Sequence, residues 1–350
     1  MGNPDSNTKP SMLTDSVWKS LVFFAVPLLL GSIFQQLYNT ADSLVVGNFL
    51  GDSALAAVSS AANLINLLVD MFIGLFTGAG ILVANYYGSG RKDKLSHAVQ
   101  TTITIGFAAG ILLTVIGNVL TPVLLRWMNT PEDVMANSLA YFRVYFSGSL
   151  AFIMYNCCTG ILQNLGDSVR PLKYLILASA TNIILDILFV AVFHLGVGST
   201  ALATILSQGL SAVLCFVRLY RSQEIYGFDL NRIYPRKDTI SEILHFGVPS
   251  SFQNCMIALS NVVVQSGINL FETQAIAGCG AWSKLEGFAL LPILSFTMAL
   301  STFVGQNKGA GNQERIRKGT KFGIVCCAAM SIIIGIVLYM CAPLLVALFC

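Results

Sequence analysis

Asp42, Asp70, Arg143, Asp186, Lys284 and Glu286 all fall inside long apolar runs, where ionisable side chains are out of place. A charge within a hydrocarbon layer costs roughly 2.5–3.5 kcal/mol on insertion scales, so each such residue needs a partner or a purpose. Helical spacing sorts them, because residues three, four and seven apart share one helix face. Gln35, Asn39 and Asp42 form one such stripe, with Tyr38 four residues before Asp42. Ser59, Asn63, Asn66 and Asp70 form a second, Ser179, Asn182 and Asp186 a third, and Thr204, Gln208 and Ser211 a fourth. Asn156 and Gln163 stand seven apart on a further segment. Such stripes cannot face lipid, and the economical arrangement turns them inward around one wet cavity.

A buried carboxylate left ionised without a partner costs far more than an unpaired hydroxyl. Burial disfavours its charged form and an approaching cation favours it. Asp42 and Asp186 are therefore the candidates to exchange a proton or hold Na⁺. Asp70 reads equally well as structural. Ser59, Ser179 and Ser211 fit interhelical hydrogen bonds, and Glu286 fits a pair with Lys284 or, like Arg143, a side chain reaching for the interface.

Other chemistries find no support. His97, His194 and His245 all sit near segment ends, which disfavours a histidine relay across the membrane. The nine cysteines lie within apolar runs with no CxxC spacing, as small packing residues do. The stretch VANYYGSGRKD lacks the Ser or Thr that follows Gly-Lys in a phosphate-binding loop. No nucleophile–base pairing stands out, so the chain reads as a non-enzyme without a cofactor. A net charge of +3, scattered along the chain, does not point to nucleic acid.

The elements that carry these residues are membrane helices. The chain is 55% hydrophobic and only 11% charged, against about 25% charged in ordinary domains. Its mean hydropathy is +0.72. Nine segments are apolar enough to cross a bilayer, at 18–46, 53–86, 95–121, 134–162, 171–194, 198–220, 241–270, 274–304 and 319–349. With the N-terminus inside, 17 of the 20 Lys and Arg residues fall on the cytoplasmic side, as the positive-inside rule requires. The polar start of the chain has no short apolar core before a cleavage site, so the first span is expected to target the protein itself.

The sequence also repeats. Gly88-Ser89-Gly90 and Gly309-Ala310-Gly311 each close an apolar segment and open a charged turn, 221 residues apart, while Val26-Pro27 and Val248-Pro249 are offset by 222. Paired anchors of this kind are expected of transporters built from two repeats. Six helices per repeat would relate the copies by an axis along the membrane normal. The division expected is a first lobe at 1–222, an inter-lobe cytoplasmic loop at 223–240, and a second lobe at 241–350. Since two repeats need about twice 222 residues, a second lobe short of about three helices is expected.

At these residues the chain resembles the multidrug and toxic compound extrusion family of secondary transporters. The stretches that carry the likeness are VPLLLGSIFQQLYNTADSLVVGNFLGDSALAAVS, ILQNLGDSVRP, NIILDILF, GSTALAT and FVGQNKGAG. The resemblance implies an all-α polytopic protein of two six-helix lobes. In the branch resembling DNA-damage-inducible protein F it implies a cation or proton site at Asp42, Asn182, Asp186 and Thr204, where Na⁺ could also sit. It also implies substrate contacts at Gln35, Tyr38, Tyr141 and Asn156. A second branch carries an acid in the seventh helix; GVPSSFQNCMIALSNVVVQSG has none. The implied activity is export of amphipathic, often cationic, organic compounds in exchange for H⁺ or Na⁺, by a monomer in the plasma membrane. A flippase of lipid-linked sugars, or a receptor or channel without coupled transport, are the alternatives.

Overall fold

The computed structural model describes residues 11–127, 132–222, 235–268, 279 and 285–346. Lipid offers no partners to backbone N–H and C=O groups, so apolar runs close their own hydrogen bonds as helices. The principal ones are α1 (Val17–Leu50), α2 (Asp52–Gly88), α3 (Lys92–Trp127), α4 (Glu132–Ser147), α5 (Ser149–Asn164), α6 (Val169–Asp186), α7 (Gly198–Arg221), α8 (Lys237–Ile268), α9 (Leu291–Gly309) and α10 (Gln313–Val346). Among the described residues seven helices are long and apolar enough to span a membrane, or eight counting α4 and α5 as one bent span.

Three expected spans differ in detail. The fourth is broken at Gly148, where α4 and α5 meet at 48°. A Cβ there would lie 2.3 Å from Ile205, so α7 occupies the space a side chain would need. The fifth leaves α-helical geometry at Asp186 and continues as a π-helical turn over Ile187–Val192. The eighth runs on to Gly309 rather than ending at 304, and most of its expected first turns lie outside the described residues. The seventh, α8, is a continuous helix, but Gln253, Asn254, Asn261 and its serines keep it out of the spans counted by hydropathy. Much of the expected 223–240 loop, and Lys284, fall outside the described residues.

The main core joins α2, α3, α4, α5 and α7 around Phe142, Phe146, Ile153 and Leu162. Helix α1 joins it only at its far end, through Val46 and Leu50. Its first half packs Leu21, Phe24 and Leu28 against Phe296, Ala299 and Phe303 of α9, whereas Tyr38 further along packs against Tyr155, Leu175 and Ala212. Pro27 lies within the first of these contact zones, next to Leu28, in an unbroken helix, and it removes one backbone hydrogen bond there. One helix thus touches α9 with one half and α5–α7 with the other.

The two repeat motifs meet each other. A Cβ on Gly88 would lie 1.8 Å from the Gln306 carbonyl oxygen, and one on Gly309 would lie 1.9 Å from that of Asn85. Asn85 and Gln306 are 221 residues apart, as Gly88 and Gly309 are. The contact is therefore exchanged reciprocally, as across a two-fold axis. Further along, Gly74 and Gly78 of α2 press on Ser251 and Gly247 of α8, with Cβ positions 2.4 and 2.3 Å from backbone atoms. This small-xxx-small crossing lets backbones touch where lipid supplies no hydrophobic drive. Hydrogen bonds lock the same seam: Ser251 Oγ donates to the Met71 carbonyl at 2.7 Å and Asn254 Nδ2 to that of Asp70 at 3.2 Å. Tyr86 bonds the Glu242 carboxylate.

Residues 306–307, read from sequence as part of a turn, are buried helix and tie this end shut. Gln306 Nε2 donates to the Asn164 carbonyl at 2.9 Å. The Met12 carbonyl, on the segment before α1, accepts from Asn307 Nδ2 at 3.1 Å and Arg315 Nη2 at 3.0 Å. Because no side chain fits at the reciprocal contact, Gly88→Ala or Gly309→Ala should destabilise the protein by about 1–3 kcal/mol. Gly335→Ala, with nothing within 4 Å of its Cβ position, should not. Thermal unfolding in detergent, compared across the three variants, is the measurement.

Candidate functional site

Stripes on α6 and α7 face each other with their polar atoms sealed from solvent. Asn182 and Asp186 are completely buried, as is Ser211, while Ser179 and Gln208 are nearly so. Asn182 Nδ2 reaches Thr204 Oγ1 at 3.5 Å, and Thr204 Oγ1 donates to the Thr200 carbonyl at 3.1 Å. Asp42 approaches from α1, half-buried, with Oδ1 sealed. Asp42 and Asp186 lie within electrostatic reach of each other and of Tyr38 and Tyr141. The four residues implied as a cation site are thus gathered from three helices at one place.

Acceptors dominate this cluster. Both Asp186 oxygens, Asp42 Oδ1, Asn182 Oδ1 and Gln208 Oε1 are buried without a hydrogen-bond partner among the described residues. Gln208 Nε2 donates to Tyr38 Oη at 3.0 Å, which leaves the Tyr38 hydroxyl proton free to donate. Unsatisfied buried polar atoms each cost about 1–3 kcal/mol, and five oxygens share this cost in one volume. Two carboxylates with amide and hydroxyl oxygens form a hard donor set, suited to a proton or Na⁺ rather than a transition metal. The π-helical turn begins next to Asp186, a distortion often found at functional sites.

The implied substrate residues divide. Gln35 and Asn156 line a cavity of about 530 Å³ between α1, α2, α5, α6 and α9. Tyr38 and Tyr141 do not line it; both are buried, Tyr141 stacked on Tyr145 with ring centroids 6.2 Å apart. Neither Asp42 nor Asp186 lines this cavity, so the acid cluster and the cavity lie at separate places. Tyr38, Tyr155 and Leu175 pack into the layer between them, with Tyr155 and Leu175 facing the cavity. Along α1 the order is Gln35 at the cavity, Tyr38 in the layer and Asp42 beyond it, a rise of about 10 Å for seven residues.

Some stripe members fall elsewhere. Asn39 is exposed. Asp70 is half-buried on the α2–α8 seam, and Arg143 and Glu286 are exposed. The side chains of Ser59, Asn63 and Asn66 lie outside the described residues. Gln208, which holds Tyr38, went unassigned because its role depends on a partner 170 residues away.

With this geometry in place, comparison with known proteins is direct. The MatE family model matches residues 27–188 and 249–350, two segments that begin at Pro27 and Pro249. The chain is 32% identical over 341 residues to the probable multidrug resistance protein YoeA of Bacillus subtilis, covering 95% of this chain and 74% of that protein. It is 23% identical to the FAD transporter of Shewanella oneidensis, over 88% of this chain and 69% of that one. A solved multidrug resistance MATE transporter of the MOP superfamily in an outward-facing conformation superimposes with a TM-score of 0.90 at 22% identity, covering 98% of this chain and 76% of that chain. The chain belongs to the MatE family: it is a multi-pass membrane protein of the multidrug efflux transporter class, not an enzyme.

Asp186→Asn removes a buried, unpartnered charge at constant size. It should raise the thermal midpoint of the purified protein, as expected where function is kept at the expense of stability. A lowered midpoint would assign the carboxylate a structural role instead.

Proposed function

We propose that the chain works in the branch resembling DNA-damage-inducible protein F, as a secondary antiporter that exports amphipathic drugs or metabolites in exchange for H⁺ or Na⁺. The observation that carries this is the cluster of unpartnered acceptors around Asp42 and Asp186. Such a cluster is stable only when a positive species enters it, and it gives that species up when access changes. Asn182 and Thr204 complete the donor set. Gln35 and Asn156 hold the substrate, Tyr38 acts on it only through the layer it forms with Tyr155 and Leu175, and Tyr141 lies away from it in the main core. The names of the multidrug relatives support the substrate class.

Coupling then runs through α1. A ligand shifts a conformational equilibrium only by binding its states differently, and loading Asp42 changes the charge on a helix whose other half braces α9. Pro27, at the α9 contact and before the stretch that leads to Tyr38 and Asp42, is where that helix can yield. The lobes at 1–222 and 241–350, joined by 223–240, would rock about the glycine seam, which the reciprocal Gly88–Gly309 contact supports. The excess of basic residues at that end supports a cytoplasmic N-terminus in the plasma membrane. A flippase of lipid-linked sugars is disfavoured, because among the described residues no charged side chain lines the cavity.

Asp42→Asn should abolish gradient-driven efflux, by 100-fold or about that if a required proton-transfer group is lost, while membrane insertion and purified yield stay normal. Fluorescent drug accumulation in everted vesicles under an imposed pH or Na⁺ gradient reads this out. Undiminished efflux would refute the coupling role.

A further inference from the structure

The cavity between the lobes holds acceptors whose own protons are already committed. Among the described residues none of its lining carries a formal charge, and amides and hydroxyls supply its polar surface. Several of these groups have already spent their protons on their own helices. Thr77 Oγ1 donates to the Ile73 carbonyl, Thr297 Oγ1 to that of Ile293, Asn156 Nδ2 to that of Phe152 and Asn164 Nδ2 to that of Gly160, each at 2.9 Å. A carbonyl oxygen can only accept, so these contacts fix the hydroxyl protons and the amide orientations without ambiguity. What remains on Thr77 and Thr297 is lone pairs alone. Asn156 keeps its carbonyl oxygen and one N–H. Thr302 Oγ1 in turn donates to Asn164 Oδ1 at 3.5 Å.

What results is a cavity with apolar walls from Ile73, Phe76 and Leu172, in which these acceptors stand beside Ser32, Gln35, Gln163 and Ser301, side chains that can donate as well as accept. The carboxylates that could attract a cation at close range sit behind the Tyr38–Tyr155–Leu175 layer. Charge alone cannot use the acceptors on Thr77, Thr297 and Asn156; a ligand group that donates hydrogen bonds can. Building on the transporter reading, we propose that this cavity selects amphipathic compounds by the N–H or O–H groups they donate, so that a protonated amine is preferred to a quaternary ammonium compound of equal charge. Both carry one positive charge, and only the first can donate to Thr77, Thr297 and Asn156.

The test uses 4-phenylbutylammonium and its N,N,N-trimethyl counterpart. Binding is measured on the purified chain in nanodiscs, and transport in vesicles under an imposed gradient. The primary ammonium should bind about tenfold more tightly, the effect of one or two net hydrogen bonds, and should be the better transported. The double variant Thr77→Val/Thr297→Val, with circular dichroism confirming its fold, should bring the binding ratio toward one. Equal or tighter binding of the trimethyl compound would overturn the selectivity and leave the transport reading standing. Failure of the chain to bind or move either compound would overturn the transport reading and the selectivity with it.

Discussion

Two carboxylates held among apolar helices, with oxygen neighbours and no cationic side chain paired to them among the described residues, set the terms for everything else in this fold. Asp42 and Asp186 could have been given an arginine or lysine; instead Asn182, Gln208 and Thr204 surround them, and the buried oxygens of Asn182 and Gln208 stay unpaired. A protein interior tolerates such a group only if the surrounding packing over-determines it. That packing is the α3–α5–α7 core, which fixes α6 and α7 so that their stripes meet at Asn182 and Thr204. In the proposed mechanism the polar cluster is a demand for an incoming positive species, written into packed helices.

A demand of this kind does work only when it is connected to something that moves. Helix α1 makes the connection, since Asp42 belongs to the acid cluster and Tyr38 to the layer beside it, while Leu21, Phe24 and Leu28 belong to the contact with α9. In the proposed mechanism substrate and ion are held at separate places along this one helix. Their coupling needs no shared site; it needs only that the state of Asp42 and the fit of Gln35 depend on the same helix position. The seam of glycines on α2, α8 and α9 is the opposite kind of element, with backbones in contact and no side chains to rearrange, and it suits a pivot.

Much of this was legible in the sequence. Membrane class, span positions and the α6 and α7 stripes follow from hydropathy and helical periodicity, which are local properties. The repeat was visible in Gly88 and Gly309, though not that these glycines touch each other's partner strand of backbone, because an offset in sequence says nothing about contact in space. The break at Gly148 and the π turn after Asp186 were missed because both answer to tertiary neighbours, Ile205 in the first case. Gln306 and Asn307 looked like turn residues by type; burial against Met12 and Asn164 makes them helix. The stripes placed Asp42 and Gln35 on one face correctly, and could not reveal that Tyr38 between them closes a wall.

The most direct measurement of the central claim is infrared difference spectroscopy of the purified protein on adding Na⁺ or lowering pH. Carboxyl bands should change on loading, should diminish in Asp42→Asn and in Asp186→Asn, and should vanish in the double variant. Bands that persist unchanged in the double variant would place the loading elsewhere and contradict the account.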